Sequence, residues 1–334
     1  MRSREEPGTA EPWPEFLNGP LESPLINAAG LINGPEKRGV LRDVETLAGS
    51  AIGGITVGSW TLEKRLGNAA EHGEPTHYYD PLNKELVNAL GLPNVGIETG
   101  ERMVEEILDI AGEKPVFFSV SPAATEKGAN PVEEAVELVD RLFQAGAGIV
   151  ELNVSCPNVV TDSGTRKPLM GHDSASMEKL RQALSCHPDC EVFARRLGVK
   201  LPPYLGVEEL RIQRRVAEIL TDMPIAFLTV CNTVPGRRPV TDDKRPILAV
   251  PGGSGGGSGP AYWEAGRLQL ASWRAETSDA LPIISALGVC DGEEIAVRKE
   301  LGALAAAVNA ELWMSDNWQR TVTKMLGEYA DYCD

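Results

Sequence analysis

Cys156 stands between two carboxamides, Asn153 and Asn158, where an apolar run, Gly148-Ile149-Val150, gives way to Glu151-Leu152-Asn153-Val154-Ser155-Cys156-Pro157-Asn158. A thiol can serve as nucleophile, general base or metal ligand. Carboxamides offer both donors and acceptors and suit a planar polar ligand. Lys200 interrupts a second apolar run, Gly198-Val199-Lys200-Leu201, just ahead of Pro202-Pro203. A lysine inside an apolar strand has to find an anion or an acceptor. The glycine-rich stretch Gly255-Gly256-Gly257-Ser258-Gly259 exposes amide hydrogens of the kind that bind phosphate. Asn27, Ser59, Asn88, Asn232 and Thr233 add polar groups at the ends of other apolar runs. Singly, each of these has a plainer reading: a lone Asn is usually a turn former and a lone Lys a solvated charge. Taken together they describe a phosphorylated cofactor beside a buried lysine and an amide-lined substrate pocket. The pair Cys186-His187 with Cys190 raises the question of metal, but no second pair lies at zinc-like spacing, so an exposed helix connection is expected there and no metal site.

These groups have to be positioned by regular elements. Apolar runs predict strands at Leu25–Ala28, Ile52–Val57, Pro115–Val120, Gly148–Val154, Gly198–Leu201, Ile225–Val230, Pro282–Ala286 and Ala303–Val308. Helical spacing of apolar residues lies between them, as in Glu101–Gly112, Pro131–Ala145, Ser174–Leu184 and Val207–Leu220. Eight strands alternating with helices over this length predict a (β/α)8 TIM barrel, an α/β fold whose strand ends converge on one catalytic face. A doubly wound sheet would carry a glycine-rich turn and an acidic residue after its first strand, and Asn27-Ala28-Ala29-Gly30 is not that fingerprint. Two stretches break the alternation, Asn68–Tyr79 and Asn232–Tyr262. Both follow predicted barrel strands and are expected to be extended loops over the catalytic face, acting as lids or ligand clamps.

The 334 residues are 42% hydrophobic, enough for a sizeable core. A net charge of −16 would repel phosphates, so no nucleic-acid partner is expected. No apolar stretch approaches the ~20 residues of a membrane span, and the charged, Pro-rich Met1–Glu15 lacks the apolar core of a signal peptide. No membrane partner is expected. The 6 scattered cysteines read as reduced thiols in a cytoplasm.

The residues just described resemble dihydroorotate dehydrogenase. The segments that carry the likeness are Asn27-Ala28-Ala29-Gly30, Thr61 to Arg65 with Gly67-Asn68, Asn88 with Gly91-Leu92-Pro93-Asn94, Glu151 to Asn158, Val199 to Tyr204, Asn232-Thr233, and Gly256-Gly257-Ser258-Gly259-Pro260. The likeness spans about residues 22 to 325, with 1–21 as an N-terminal extension and 326–334 as a tail. Ser-Cys-Pro-Asn and Lys-Leu-Pro-Pro-Tyr are similar to the soluble class 1 branch, and to its homodimeric type. The resemblance implies an FMN-containing barrel that oxidises dihydroorotate to orotate in pyrimidine biosynthesis. On that reading Cys156 is the general base. Asn88, Asn153, Asn158, Asn232 and Thr233 hold the substrate. Ala28, Ala29, Gly30, Ser59, Lys200, Gly256, Gly257, Ser258 and Gly288 surround the flavin, with Gly256 and Gly257 at its phosphate. The chain departs from that pattern in four places. Thr56-Val57-Gly58-Ser59-Trp60-Thr61 lacks the lysine of the second strand, and Lys64 is not a match for it. The loop Gly67–His77 is longer and lacks an arginine. A Gly-Gly turn at the seventh strand reads Leu287-Gly288, and a Gly-Thr pair after the eighth reads Asn309-Ala310. The departures leave two alternatives: an FMN oxidoreductase acting on another pyrimidine-like ring, or a flavin-free ligand-binding barrel. No cysteine cluster for an iron–sulfur centre is present.

Overall fold

The structure, a computed structural model, describes residues 14, 17, 21–123, 130–155 and 169–333. Twelve strands are described: β1 (Leu25–Asn27), β2 (Ile55–Trp60), β3 (His77–Asp80), β4 (Glu85–Asn88), β5 (Val116–Val120), β6 (Ile149–Asn153), β7 (Leu197–Leu201), β8 (Phe227–Val230), β9 (Val234–Arg237), β10 (Gly255–Ser258), β11 (Ile283–Ser285) and β12 (Ala305–Val308). Eight of them form a parallel sheet in the order β1-β12-β11-β8-β7-β6-β5-β2. The seam between β1 and β2 is joined by a parallel bridge from Ile26 to Gly54. Asn27 completes it, its Oδ1 accepting from the Thr56 N–H at 2.8 Å and its Nδ2 donating to the Thr56 carbonyl at 2.7 Å. The side chain thus stands in for a missing rung of the ladder, which gives Asn27 a structural task. The result is the expected (β/α)8 barrel, each predicted strand corresponding to one of these eight.

Alternation along each strand sorts its residues between two cores. On β7, Leu197, Val199 and Leu201 join Met177, Phe193 and Val216 of the surrounding helices. Gly198 and Lys200 have the opposite parity and face the barrel interior. The barrel floor is Ile26, Phe117, Ile149, Phe227, Ile284 and Ala305, with Leu17 beneath. Phe117 and Phe227 meet edge-on at 5.8 Å, and a Cβ on Gly198 would lie 2.2 Å from the Phe227 ring. The helices predicted at Pro131, Ser174 and Val207 start there, whereas the one predicted from Glu101 starts at Val104. Asn130 caps Pro131–Gln144 by accepting from the Val132 N–H, and that helix buries Val132, Ala135, Leu138, Val139 and Leu142 along one stripe. The helix Trp318–Cys333 runs unbroken through the boundary expected at 325 and buries Val322 and Met325.

The two stretches expected to be extended loops are instead largely structured. They supply most of β3 and all of β9 and β10, which with β4 just beyond the first stretch form a four-stranded antiparallel sheet in the order β3-β4-β10-β9. The glycine run is therefore a strand and not an open phosphate loop: Gly256 pairs with Asn88 and Gly257 with Val87. Its composition follows from crowding. A Cβ on Gly255 would lie 2.2 Å from the Asn88 carbonyl oxygen, and one on Gly257 would lie 2.3 Å from the Tyr262 hydroxyl. Arg237 of β9 and Glu85 of β4 form an ion pair at 2.6 Å across the intervening β10. Among the described residues no helix is long and apolar enough to cross a membrane.

Candidate active site

A cavity of about 380 Å³ opens where the C-terminal ends of the barrel strands meet the antiparallel sheet. That is the size of a small-molecule site. Its wall includes Ala28, Ala29, Gly30, Ser59, Asn88, Asn153, Lys200, Asn232, Thr233, Ser258 and Gly288. The fold thus gathers on one surface most of the residues singled out by their chemistry. Gly256 and Gly257 are not in that lining and sit in the sheet ladder. Cys156 and Asn158 lie outside the described residues.

At one end the wall is built from side chains joined by a directed chain of hydrogen bonds. Asn232 Nδ2 donates to Ser155 Oγ at 3.0 Å. Ser155 Oγ donates to Asn153 Oδ1 at 2.7 Å, and Asn153 Nδ2 donates to Ser59 Oγ at 3.0 Å. Ser59 and Ser119 hydroxyls meet at 2.8 Å, and Ser119 Oγ donates to Glu151 Oε1 at 3.0 Å. Thr229 Oγ1 donates to the other oxygen, Oε2, at 2.7 Å. A carboxylate can only accept, so Ser119 must take its own hydrogen bond from Ser59, and every link points towards Glu151. Two backbone groups fix the carboxamides independently. The Ser155 N–H donates to Asn153 Oδ1 at 3.1 Å and the Thr233 N–H to Asn232 Oδ1 at 2.8 Å. The amides therefore have one orientation each, a property a planar ligand with alternating donors and acceptors can use.

Lys200 is 3% exposed and lies beside Asn153 in the β6–β7 register. It is the only Lys, Arg, Asp or Glu among the described lining residues. Among the described residues its ammonium makes no hydrogen bond or ion pair. A buried cation facing a cavity without a partner marks the place of an anion or an electron-rich acceptor. Lys64 does not substitute for the missing strand-two lysine: it is exposed and reaches Glu36 at 3.5 Å.

The other end is built from backbone. The turns after β11 and β12 contribute Leu287, Gly288, Val289, Asn309 and Ala310. The N–H groups of Gly288, Val289, Asn309 and Ala310 donate to no other group among the described residues. Asn309 Nδ2 is engaged with the Ala29 carbonyl at 3.3 Å. Backbone N–H groups on turns after the seventh and eighth barrel strands are donors of the kind that suit a phosphate. With Ala28, Ala286 and Ala307 as small wall residues and Lys200 alongside, the donor set fits a flat ring with a phosphorylated tail.

Cys231 also lines the cavity, and burial pushes its thiol up to about 12, so it stays protonated near neutral pH. Sequence reasoning passed over Ser119 and Ser155, which carry the chain of hydrogen bonds. It also passed over Trp313 and Trp318, which line the cavity. Ser155 had a signal in its place two residues after Asn153; the tryptophans had none. Near Cys186, the ligand atoms of Asp140, His187 and Asp189 lie within 4.8 Å of one another. The two ring nitrogens of His187 face different carboxylates, at 3.8 and 3.9 Å.

Comparison with known proteins gives one consistent result. A family model described as dihydroorotate dehydrogenase matches residues 14–329. The chain is 30% identical over 274 residues to dihydroorotate dehydrogenase A (fumarate) of Lactococcus lactis subsp. cremoris strain MG1363, covering 82% of this chain and 78% of that protein. It is 27% identical over 307 residues to dihydroorotate dehydrogenase (fumarate) of Saccharomyces cerevisiae, covering 91% and 88%. A crystal structure of DHODH in complex with ferulenol from Eimeria tenella superposes with a TM-score of 0.70, covering 98% of this chain and 86% of that one. At 18% identity this last likeness speaks to the fold.

Proposed function

The chain belongs to the dihydroorotate dehydrogenase family, and from that membership and the chemistry of the cavity we propose that it oxidises dihydroorotate to orotate in pyrimidine biosynthesis, with FMN as its flavin. The observation that carries the reading is the meeting, in one cavity, of a buried Lys200 ammonium that has no partner among the described residues with the carboxamides of Asn88, Asn153 and Asn232. When bound, FMN supplies the acceptor for the hydride that leaves C6 of the substrate. The protein's own part is to hold the ring, take a proton and exclude water. Asn88, Asn153, Asn232 and Thr233, with Asn158 from the neighbouring segment, bind the pyrimidine ring and its carboxylate. Cys156 removes the C5 proton: a thiol with an ordinary value near ~8.5 is a workable base near neutral pH. Lys200 places positive charge beside the flavin ring, where reduction builds negative charge. The N–H groups of Gly288, Val289, Asn309 and Ala310, which meet no acceptor among the described residues, hold the phosphate.

The matched relatives carry fumarate in their names, and we take fumarate as the electron acceptor. A homodimer in the cytoplasm completes the reading. It draws on Lys-Leu-Pro-Pro-Tyr and on Leu205, Val207 and Leu210, apolar residues 44–71% exposed just beyond it. The test is spectroscopic. Purified protein should show flavin absorbance that bleaches anaerobically on adding dihydroorotate and returns on adding fumarate. A colourless protein that FMN does not reconstitute, yet which binds orotate by calorimetry, would move the reading to a flavin-free binding barrel. One observation favours a second reading. Gly58 and its neighbours offer no lysine, and Lys200 is the one cation among the described lining residues. A related ring without a carboxylate would need no second cation. Faster bleaching by dihydrouracil than by dihydroorotate would select it.

A further inference from the structure

The turn after β11 is a tightly held part of the cavity wall. Leu287 holds φ +64 and Gly288 holds φ +80, both in the left-handed region that favours glycine. A Cβ on Gly288 would lie 2.4 Å from the Trp263 nitrogen, so the turn is pressed against the start of the helix Trp263–Glu276. From behind, one guanidinium grips it. Arg298 Nη2 donates to the carbonyls of Leu287 at 3.2 Å and Trp263 at 2.9 Å. Its Nη1 donates to Ser285 Oγ at 2.9 Å. Its Nε and Nη2 reach Glu294 at 3.1 and 3.0 Å. Arg298 is wholly buried, and Glu294 is held in turn by Arg267. Gly266 makes room for the grip: a Cβ there would lie 2.1 Å from the Leu287 oxygen and 2.6 Å from Arg298 Nη1.

A buried ion pair tying two helices to a strand end would be the plain explanation. The peptide geometry adds to it. The Leu287 carbonyl and the Gly288 N–H belong to one planar trans peptide and point in opposite directions. Fixing the carbonyl onto Arg298 therefore aims the Gly288 N–H the other way, towards the cavity that Gly288 lines. That N–H and its neighbour on Val289 donate to nothing else among the described residues. We infer that Arg298 is a positioning residue for phosphate binding: it holds a bulky Leu287 in a glycine-like conformation so that the Leu287–Val289 turn presents its N–H groups to the phosphate of the cofactor. This rests on the FMN reading.

The test uses protein stripped of flavin and titrated separately with FMN and with riboflavin, which lacks the phosphate, following flavin fluorescence. The wild type should prefer FMN. In Arg298→Met that preference should fall at least 10-fold while riboflavin affinity stays within twofold, and Arg298→Lys should fall between. In a Leu287→Gly background, where the turn needs no restraint, Arg298→Lys should cost little preference. If Arg298→Met does not fold, Arg298→Lys alone and in the Leu287→Gly background carries the test. Equal weakening of both flavins, or an unchanged preference, overturns the inference and leaves the FMN reading standing. A wild type that binds neither flavin overturns the FMN reading and this inference with it.

Discussion

The two ends of the cavity are built from different materials. The end proposed for the substrate uses side chains, Asn153, Asn232, Ser59 and Ser155, whose orientations are fixed by hydrogen bonds ending on the buried Glu151 carboxylate. The end proposed for the phosphate uses backbone N–H groups on two turns, one of them held by Arg298. The difference matches what each end has to recognise. A pyrimidine ring presents donors and acceptors in a fixed order, and only oriented amides can read that order. A phosphate is a compact anion that asks for several converging N–H groups and little else. It also sets where change is tolerated. Backbone donors survive side-chain replacement, so Leu287 and Asn309-Ala310 can stand where the resemblance expects glycine and Gly-Thr.

If the ends are separable, variants at one should leave the other intact. The largest effect is expected at Cys156. Cys156→Ala should slow anaerobic flavin bleaching by dihydroorotate by ~10²–10⁴-fold with FMN still bound, and unchanged bleaching in a stopped-flow trace would take the thiol out of the mechanism. Lys200 is the residue that should break the separation, because its ammonium is the one charge among the described lining residues of the whole wall. Lys200→Met should slow bleaching by ~10²-fold or more and also loosen FMN. If FMN affinity holds, Lys200 belongs to the substrate end alone. Glu151→Gln removes the charge on which the chain ends, and Ser119→Ala cuts its last link. Each should weaken orotate binding by about 10-fold, the scale of a hydrogen bond to a charged group, with the FMN-to-riboflavin preference unchanged. The two substitutions should be far less than additive, since either one interrupts the same chain.

The sequence made the barrel legible because its strands are short apolar runs between helices, and such runs have few other places to go. It also placed Asn153, Lys200 and Asn232 on one face, since strand ends in a barrel converge; Asn88 reaches that face from β4 of the antiparallel sheet instead. The antiparallel sheet was not legible. β10 reads Gly-Gly-Gly-Ser, with no alternation to mark it, and its strand character comes from the Asn88 backbone that crowds it. The chain to Glu151 was hidden for another reason. Ser59, Ser119 and Glu151 are 60 and 32 residues apart, and Ser119 sits inside a run that reads as plain apolar strand. Leu287 was visible as a departure from glycine. Its partner was not, because nothing in the spacing of a helical arginine says that it will be buried against a carbonyl.

The smallest effect concerns Cys231, which lines the wall next to Asn232 and is itself fully buried in an apolar setting. Burial raises its thiol from an ordinary 9.0 to about 12. The folded protein then binds this proton more tightly than the unfolded chain does. The stabilising difference is fully present below the unfolded value and is lost as pH climbs from about 9 towards 12. One pH unit into that window the loss is about 1.4 kcal/mol. Cys231→Ala removes the group, so its melting temperature should decline less steeply than the wild type's between pH 9 and 10, and the two slopes should be parallel between pH 6 and 8. The pH profile of flavin bleaching below pH 8 should be the same in both proteins, because a thiol that stays protonated contributes no ionisation there. An alkaline shift of that profile in Cys231→Ala would mean that Cys231 is the base, and the comparison of the two ends would have to be redrawn around it.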